Sequence, residues 1–122
     1  MERQRFSLRS RLRSFSYAFA GIWQFLLREH NARIHLVATL CVIIGGLALH
    51  VSTSEAAMLA IVTGGVWITE MINTCLERLA DLIDPDEHPM IKFIKDLAAG
   101  AVLVAAVTAV VVGLFIFIPK LK

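Results

Sequence analysis

Charge is scarce in this chain. Its 122 residues include only 18% Asp, Glu, Lys and Arg against 57% hydrophobic residues, with a mean hydropathy of +0.71, which excludes an ordinary water-soluble domain. Cysteine is rarer still: Cys41 and Cys75 each fall inside an apolar run, so no disulfide framework is implied. His30, His35 and His50 share no ligand spacing with either thiol, which speaks against a zinc site. Neither GxGxxG nor GxxxxGK(S/T) occurs, so a Rossmann or P-loop nucleotide site is unsupported. The net charge is only +2, and no nucleic-acid partner is expected. Ala18-Phe19-Ala20 mimics a cleavage site behind a basic N-terminus, but no apolar core precedes it, so a cleaved signal is not expected.

What is present is apolar length. Crossing a bilayer takes about 20 mostly apolar residues, and residues 34–51, 56–76 and 97–118 supply it three times. The expectation is an all-α integral membrane protein, one domain over residues 1–122, with three transmembrane helices. Ahead of them, Phe15, Ala18, Phe19, Ile22, Phe25 and Leu26 recur at helical spacing, while Arg13, Ser16, Gln24 and Arg28 fall on other faces. Residues 1–30 therefore read as an N-terminal amphipathic surface helix whose Arg side chains reach anionic head groups.

Basic residues orient the spans. Seven Arg precede the first span, the loop 52–55 has no Lys or Arg, and Arg78, Lys92 and Lys95 lie between the second and third spans. The positive-inside rule places the N-terminus and the second loop in the cytoplasm, leaving Lys120 and Lys122 as exceptions on the far side. Ser52-Thr53-Ser54-Glu55 reads as a short loop with a helix cap. Asp84-Pro85-Asp86-Glu87-His88-Pro89 should end one helix near Ile83 and start another near Met90. Ala101, Ala105, Ala109 and Gly113 form a small-residue ladder suited to close helix packing within the chain or between copies, and Gly45-Gly46 and Gly64-Gly65 read the same way.

One polar pattern interrupts the apolar spans. Glu70, Asn73, Glu77 and Asp81 are spaced three, four and four residues apart, so at about 100° per residue they share an arc of roughly 80°. The stripe starts inside hydrocarbon, where a carboxylate costs on the order of 2.5 to 3.5 kcal/mol by insertion scales, a cost that marks a functional candidate. Seven residues separate Glu70 from Glu77, which puts Glu70 about 10 Å deeper at 1.5 Å per residue. There a partly desolvated carboxylate suits a general base taking the proton of a hydroxyl, and lipid alcohols present hydroxyls at that depth.

The topology brings Glu29, Glu77, Asp81, Lys95 and Asp96 to the same aqueous side. Paired carboxylates suit Mg²⁺, which takes one or two of them plus substrate phosphates, and Lys95 suits a phosphate as a point charge. Asn73, one turn from Glu70, is placed to orient it or a metal ligand. The pattern points to phosphoryl transfer from a nucleotide to a membrane lipid alcohol.

The motifs Glu70-x-x-Asn73-Thr74-x-x-Glu77-x-x-x-Asp81, His88-Pro89-x-x-Lys92-x-x-Lys95-Asp96-x-Ala98-Ala99-Gly100, Phe15-x-Tyr17-Ala18-x-x-Gly21-Ile22 and Glu29-x-Asn31-x-Arg33-x-His35-Leu36 closely resemble the signature of the small bacterial diacylglycerol kinase and undecaprenol kinase family. The resemblance covers nearly the whole chain. It implies a homotrimer in the bacterial cytoplasmic membrane, with active sites between subunits and ATP and a membrane lipid alcohol as substrates. Position by position it implies Glu70 as proton acceptor, Glu29 and Glu77 as Mg²⁺ ligands, and Tyr17, Asp86, Glu87, His88, Lys95 and Asp96 as ATP contacts, with Asn73 and Asp81 supporting the site. Two departures stand out: Ser10 where some relatives carry Arg, and Ile94 where Ala is common. The stretch Glu29 to Leu36 and the His88-Pro89 pair look more like the undecaprenol branch, with diacylglycerol the alternative acceptor. A small transporter subunit is the remote alternative, since it too would use an intramembrane Glu, but it has no use for Lys95-Asp96 beside Glu77.

Overall fold

The computed structural model describes residues 5–86 and 88–122. Helix α1 (Leu8–Arg28) is followed by α2 (His30–Ala48), α3 (Thr53–Ile83) and α4 (Pro89–Phe117), and the chain closes in a short 3-10 turn, Ile118–Leu121. No strand occurs among the described residues. Helices α2, α3 and α4 are each long and apolar enough to cross a membrane, and α1 lies ahead of them as the surface helix. The broadest helix contact is between α3 and α4.

Local chemistry sets the ends. Glu29 alone is extended between α1 and α2. The Arg33 guanidinium donates back to the Leu26 and Leu27 carbonyls at 3.2 and 2.8 Å, satisfying acceptors the broken helix leaves over. Ser52 and Glu55 form a full capping box, Glu55 N–H to Ser52 Oγ at 3.2 Å and Ser52 N–H to Glu55 Oε1 at 2.9 Å. The second loop turns on Asp84, whose carboxylate accepts the Asp86 and His88 amides at 2.9 and 3.2 Å. His88 Nδ1 then caps α4 by accepting the Met90 N–H at 3.1 Å.

Helix α3 runs 31 residues, about 46 Å at 1.5 Å per residue, and so outruns a hydrocarbon core of about 30 Å. α4, with 29 residues, does the same. Its first two turns hold Lys92, Lys95 and Asp96, which a hydropathy reading leaves out of the span but which helical hydrogen bonding accepts. On the opposite side Lys120 pairs with Glu55 at 3.0 Å, so one of the two basic exceptions there is neutralised. The small-residue readings come out differently. A Cβ at Gly64, Gly65 or Gly113 would meet nothing within 4 Å among the described residues, whereas Gly45 does lie against the Phe117 ring at 3.6 Å. Close approach among the described residues therefore accounts for Gly45 and for Gly46, where a Cβ would meet Val51 Cγ2 at 3.4 Å, not for Gly64, Gly65 or Gly113.

Helix α2 ends in a left-handed residue, His50 at φ 55°, and Val51 N–H returns to the Gly46 carbonyl at 3.1 Å, the Schellman arrangement that favours glycine. His50→Gly is expected to stabilise the fold by about 0.5–1 kcal/mol, the left-handed penalty less glycine's own entropy cost. A thermal unfolding scan in detergent showing no gain would contradict it.

Candidate active site

Among the described residues the core is thin, with seven buried hydrophobic residues, yet two buried residues are polar: Glu70, 4% exposed, and Asn73, 7% exposed. Both belong to α3. The sequence of α3 places them one turn apart on one face, and α2 side chains reach Glu70. Asn31 Nδ2 donates to Glu70 Oε1 at 3.3 Å, and His35 Nε2 meets Glu70 Oε2 at 3.3 Å. Alongside, Trp67 Nε1 donates to Thr39 Oγ1 at 2.8 Å, and that hydroxyl donates to the His35 carbonyl at 2.7 Å. Trp67 also stacks edge-on against Phe25 of α1, ring centroids 6.2 Å apart, so three helices converge beside Glu70.

One turn toward the cytoplasmic end expected from the charges, Asn73 Nδ2 donates to Glu77 Oε1 at 3.3 Å. Asn73 Oδ1 is buried without a hydrogen-bond partner among the described residues. An orphaned amide oxygen beside a carboxylate is a pair of hard oxygen donors, the donor type that Mg²⁺ prefers. Further out, Lys95 Nζ pairs with Asp81 Oδ1 at 2.5 Å and Lys92 with Asp96 at 2.6 Å. Arg78 pairs with Glu29 at 2.5 Å, its side chain 65% exposed. No group of three His, Cys, Asp or Glu close enough to hold a metal occurs among the described residues.

Glu70, Asn73 and Glu77 thus form one continuous run, with Asp81–Lys95 and Glu29–Arg78 at its outer end. Tyr17 stays exposed on α1, and Asp86 and His88 are exposed in the loop, where His88 serves as a helix cap. Glu87 lies outside the described residues. Asn31, His35 and Arg78 were missed as members of the site. Asn31, His35 and Thr39 recur every four residues, a polar stripe on α2 complementary to that on α3, and that spacing is the signal that could have found the first two.

Three helices long and apolar enough to cross a membrane, an amphipathic helix ahead of them and a run of polar residues from buried Glu70 to exposed Asp81 on α3 are the frame of an integral membrane protein with a buried carboxylate. The chain belongs to the prokaryotic diacylglycerol kinase family, whose sequence model matches residues 16–117, and it is a lipid kinase. It is similar to an undecaprenol kinase of Bacillus subtilis, 40% identical over 109 residues that make up 89% of each chain. It is equally similar to a diacylglycerol kinase of Synechocystis sp., 40% identical over 109 residues, or 88% of this chain and 62% of that one.

Proposed function

We propose that this kinase transfers the γ-phosphate of ATP to the hydroxyl of undecaprenol at the cytoplasmic face of the bacterial inner membrane. The observation that carries the reading is the buried Glu70 carboxylate, 4% exposed and about 10 Å below Glu77 along one helix. The lipid hydroxyl oxygen attacks the γ-phosphorus, the bond to the ADP oxygen breaks, and the hydroxyl proton passes to Glu70. Beside it, a cavity of about 330 Å³ lined by His35, Thr39, Val66, Trp67, Gly113 and Phe117 offers an apolar wall to the acceptor chain. Glu29 and Glu77 would hold Mg²⁺, with Asn73 Oδ1 the neighbouring oxygen, and the bound ion would supply positive charge to the transferring phosphate.

Lys95 and Asp96 contact the nucleotide, joined by Tyr17, Asp86, Glu87 and His88, while Asp81 supports Lys95. The ion pairs Arg78–Glu29 and Lys95–Asp81 are no obstacle, because exposed pairs are worth about 0–1 kcal/mol. Nucleotide binding exchanges them for metal and phosphate contacts. A homotrimer with sites between subunits accommodates the exposed Tyr17 and Gly64, Gly65 and Gly113, where a Cβ would meet nothing within 4 Å among the described residues.

Undecaprenol is preferred because the match to the undecaprenol kinase spans 89% of both chains and because Glu29 to Leu36 and His88-Pro89 resemble that branch more than the diacylglycerol branch. The test offers undecaprenol and diacylglycerol side by side in one detergent with Mg²⁺ and ATP labelled at the γ-position. The expected result is a kcat/KM at least about tenfold higher for undecaprenol, a difference of about 1.4 kcal/mol. Equal values would remove the substrate preference, and absence of label in both lipids would remove the kinase reading.

A further inference from the structure

Glu70 is held by α2 rather than by its own helix. Its two carboxylate oxygens each meet one α2 side chain, Asn31 at 3.3 Å and His35 at 3.3 Å, and no Lys or Arg is paired with it among the contacts described. An ionised carboxylate only accepts, so both contacts require donors, which Asn31 supplies from Nδ2 and His35 from a proton on Nε2. Two donors occupy about two of the four lone-pair positions, leaving the others for a hydroxyl. The next residue of the α2 stripe, Thr39, bonds both Trp67 of α3 and the His35 carbonyl, which fixes the register of the two helices where His35 reaches across.

We propose that His35 and Asn31 are positioning residues that hold the Glu70 carboxylate in line with the lipid hydroxyl, His35 acting as a hydrogen-bond donor. The inference rests on the reading of Glu70 as the base. A carboxylate on a straight helix next to a lipid cavity has rotamer freedom that its own neighbours do not remove, and misplacing a catalytic group by about 1 Å costs on the order of a hundredfold in rate. Clamping both oxygens from a second helix removes that freedom before the acceptor arrives.

The test is steady-state kinetics of the full-length protein in detergent with undecaprenol and Mg²⁺·ATP, comparing wild type with His35→Leu, His35→Gln, Asn31→Ala and Glu70→Gln. His35→Leu is expected to lower kcat by about 10- to 100-fold, the usual cost of losing a group that orients a functional side chain, with the KM for ATP unchanged. His35→Gln keeps an N–H donor at similar reach and is expected to recover most of the kcat. Asn31→Ala is expected to lose less than His35→Leu. Should His35→Leu not survive purification, the comparison of His35→Gln with Asn31→Ala decides: full activity in both overturns the proposal. So does wild-type kcat in His35→Leu, or a His35→Gln variant as slow as His35→Leu. Retained activity in Glu70→Gln would instead overturn the base assignment, so the two failures are distinguishable.

Discussion

Glu70→Gln is expected to lower kcat for lipid phosphorylation by about 10³-fold, within the range of about 10² to 10⁴ attributed to a positioned general base. That is about 4 kcal/mol of transition-state stabilisation at about 1.36 kcal/mol per tenfold. The substitution keeps the shape of the side chain and removes its ability to take a proton; its oxygen still accepts from one of Asn31 and His35, while its NH2 needs the other to present an acceptor, by an Asn31 amide flip or the other His35 tautomer. Because Glu70 is 4% exposed, exchanging its charge for a neutral amide relieves desolvation, so thermal stability should hold or rise while activity falls. Those opposite signs separate chemistry from folding. They are read by label transfer from ATP to lipid and by a thermal scan on the same preparation. A kcat within about tenfold of wild type would remove Glu70 from the role, since a base worth so little lies below the usual range.

The two ends of α3 were legible because each depends on neighbours in sequence. Ser52 and Glu55 are three residues apart and cap one another, and Asp84 with Pro85 stops the helix at Ile83. The stripe of Glu70, Asn73, Glu77 and Asp81 was legible for the same reason, being the periodicity of one helix. What decides how Glu70 is held comes from 35 and 39 positions away, and no local pattern carries that distance. As chemistry, His35 reads from sequence as a candidate metal ligand, where spacing to other ligands matters, and its use as a donor to a carboxylate needs no such spacing. Arg78 counted only as a charge that orients the chain, yet it meets Glu29 across 49 residues. Hydropathy read the third span from residue 97, because Lys92, Lys95 and Asp96 hide the first turns of α4.

Depth along α3 gives the site its order. Asn73 and Glu77 are bonded to each other one turn above Glu70, and the ion pairs of Glu29 and Asp81 come next, where side chains are half or more exposed on at least one partner. In the orientation the charges predict, charge that would be costly in lipid falls where water screens it, and among the described residues the deepest carboxylate of the run, Glu70, is the one with two donors.

The second large effect is expected at Glu77. Glu77→Gln should lower kcat/KM by about 10³-fold, several kcal/mol being what a metal ion contributes to charge stabilisation in phosphoryl transfer, and it should carry a signature that Glu70→Gln lacks. Glu77 sits beside Asn73 Oδ1, the buried oxygen with no partner among the described residues. On the proposed ligand set, converting the carboxylate to an amide would leave Glu29 as the remaining anionic ligand, and Arg78 already pairs with Glu29. The Mg²⁺ concentration giving half-maximal rate should therefore rise by about tenfold or more, a loss of about 1.4 kcal/mol in metal affinity, whereas in Glu70→Gln it should match wild type. Binding offers an independent readout. Mg²⁺·ATP should raise the unfolding temperature of wild type and of Glu70→Gln, because it binds only the folded state, and should raise that of Glu77→Gln much less. An unchanged Mg²⁺ requirement together with an unchanged thermal shift in Glu77→Gln would take Glu77 out of the metal site and leave its bond to Asn73 as a structural contact.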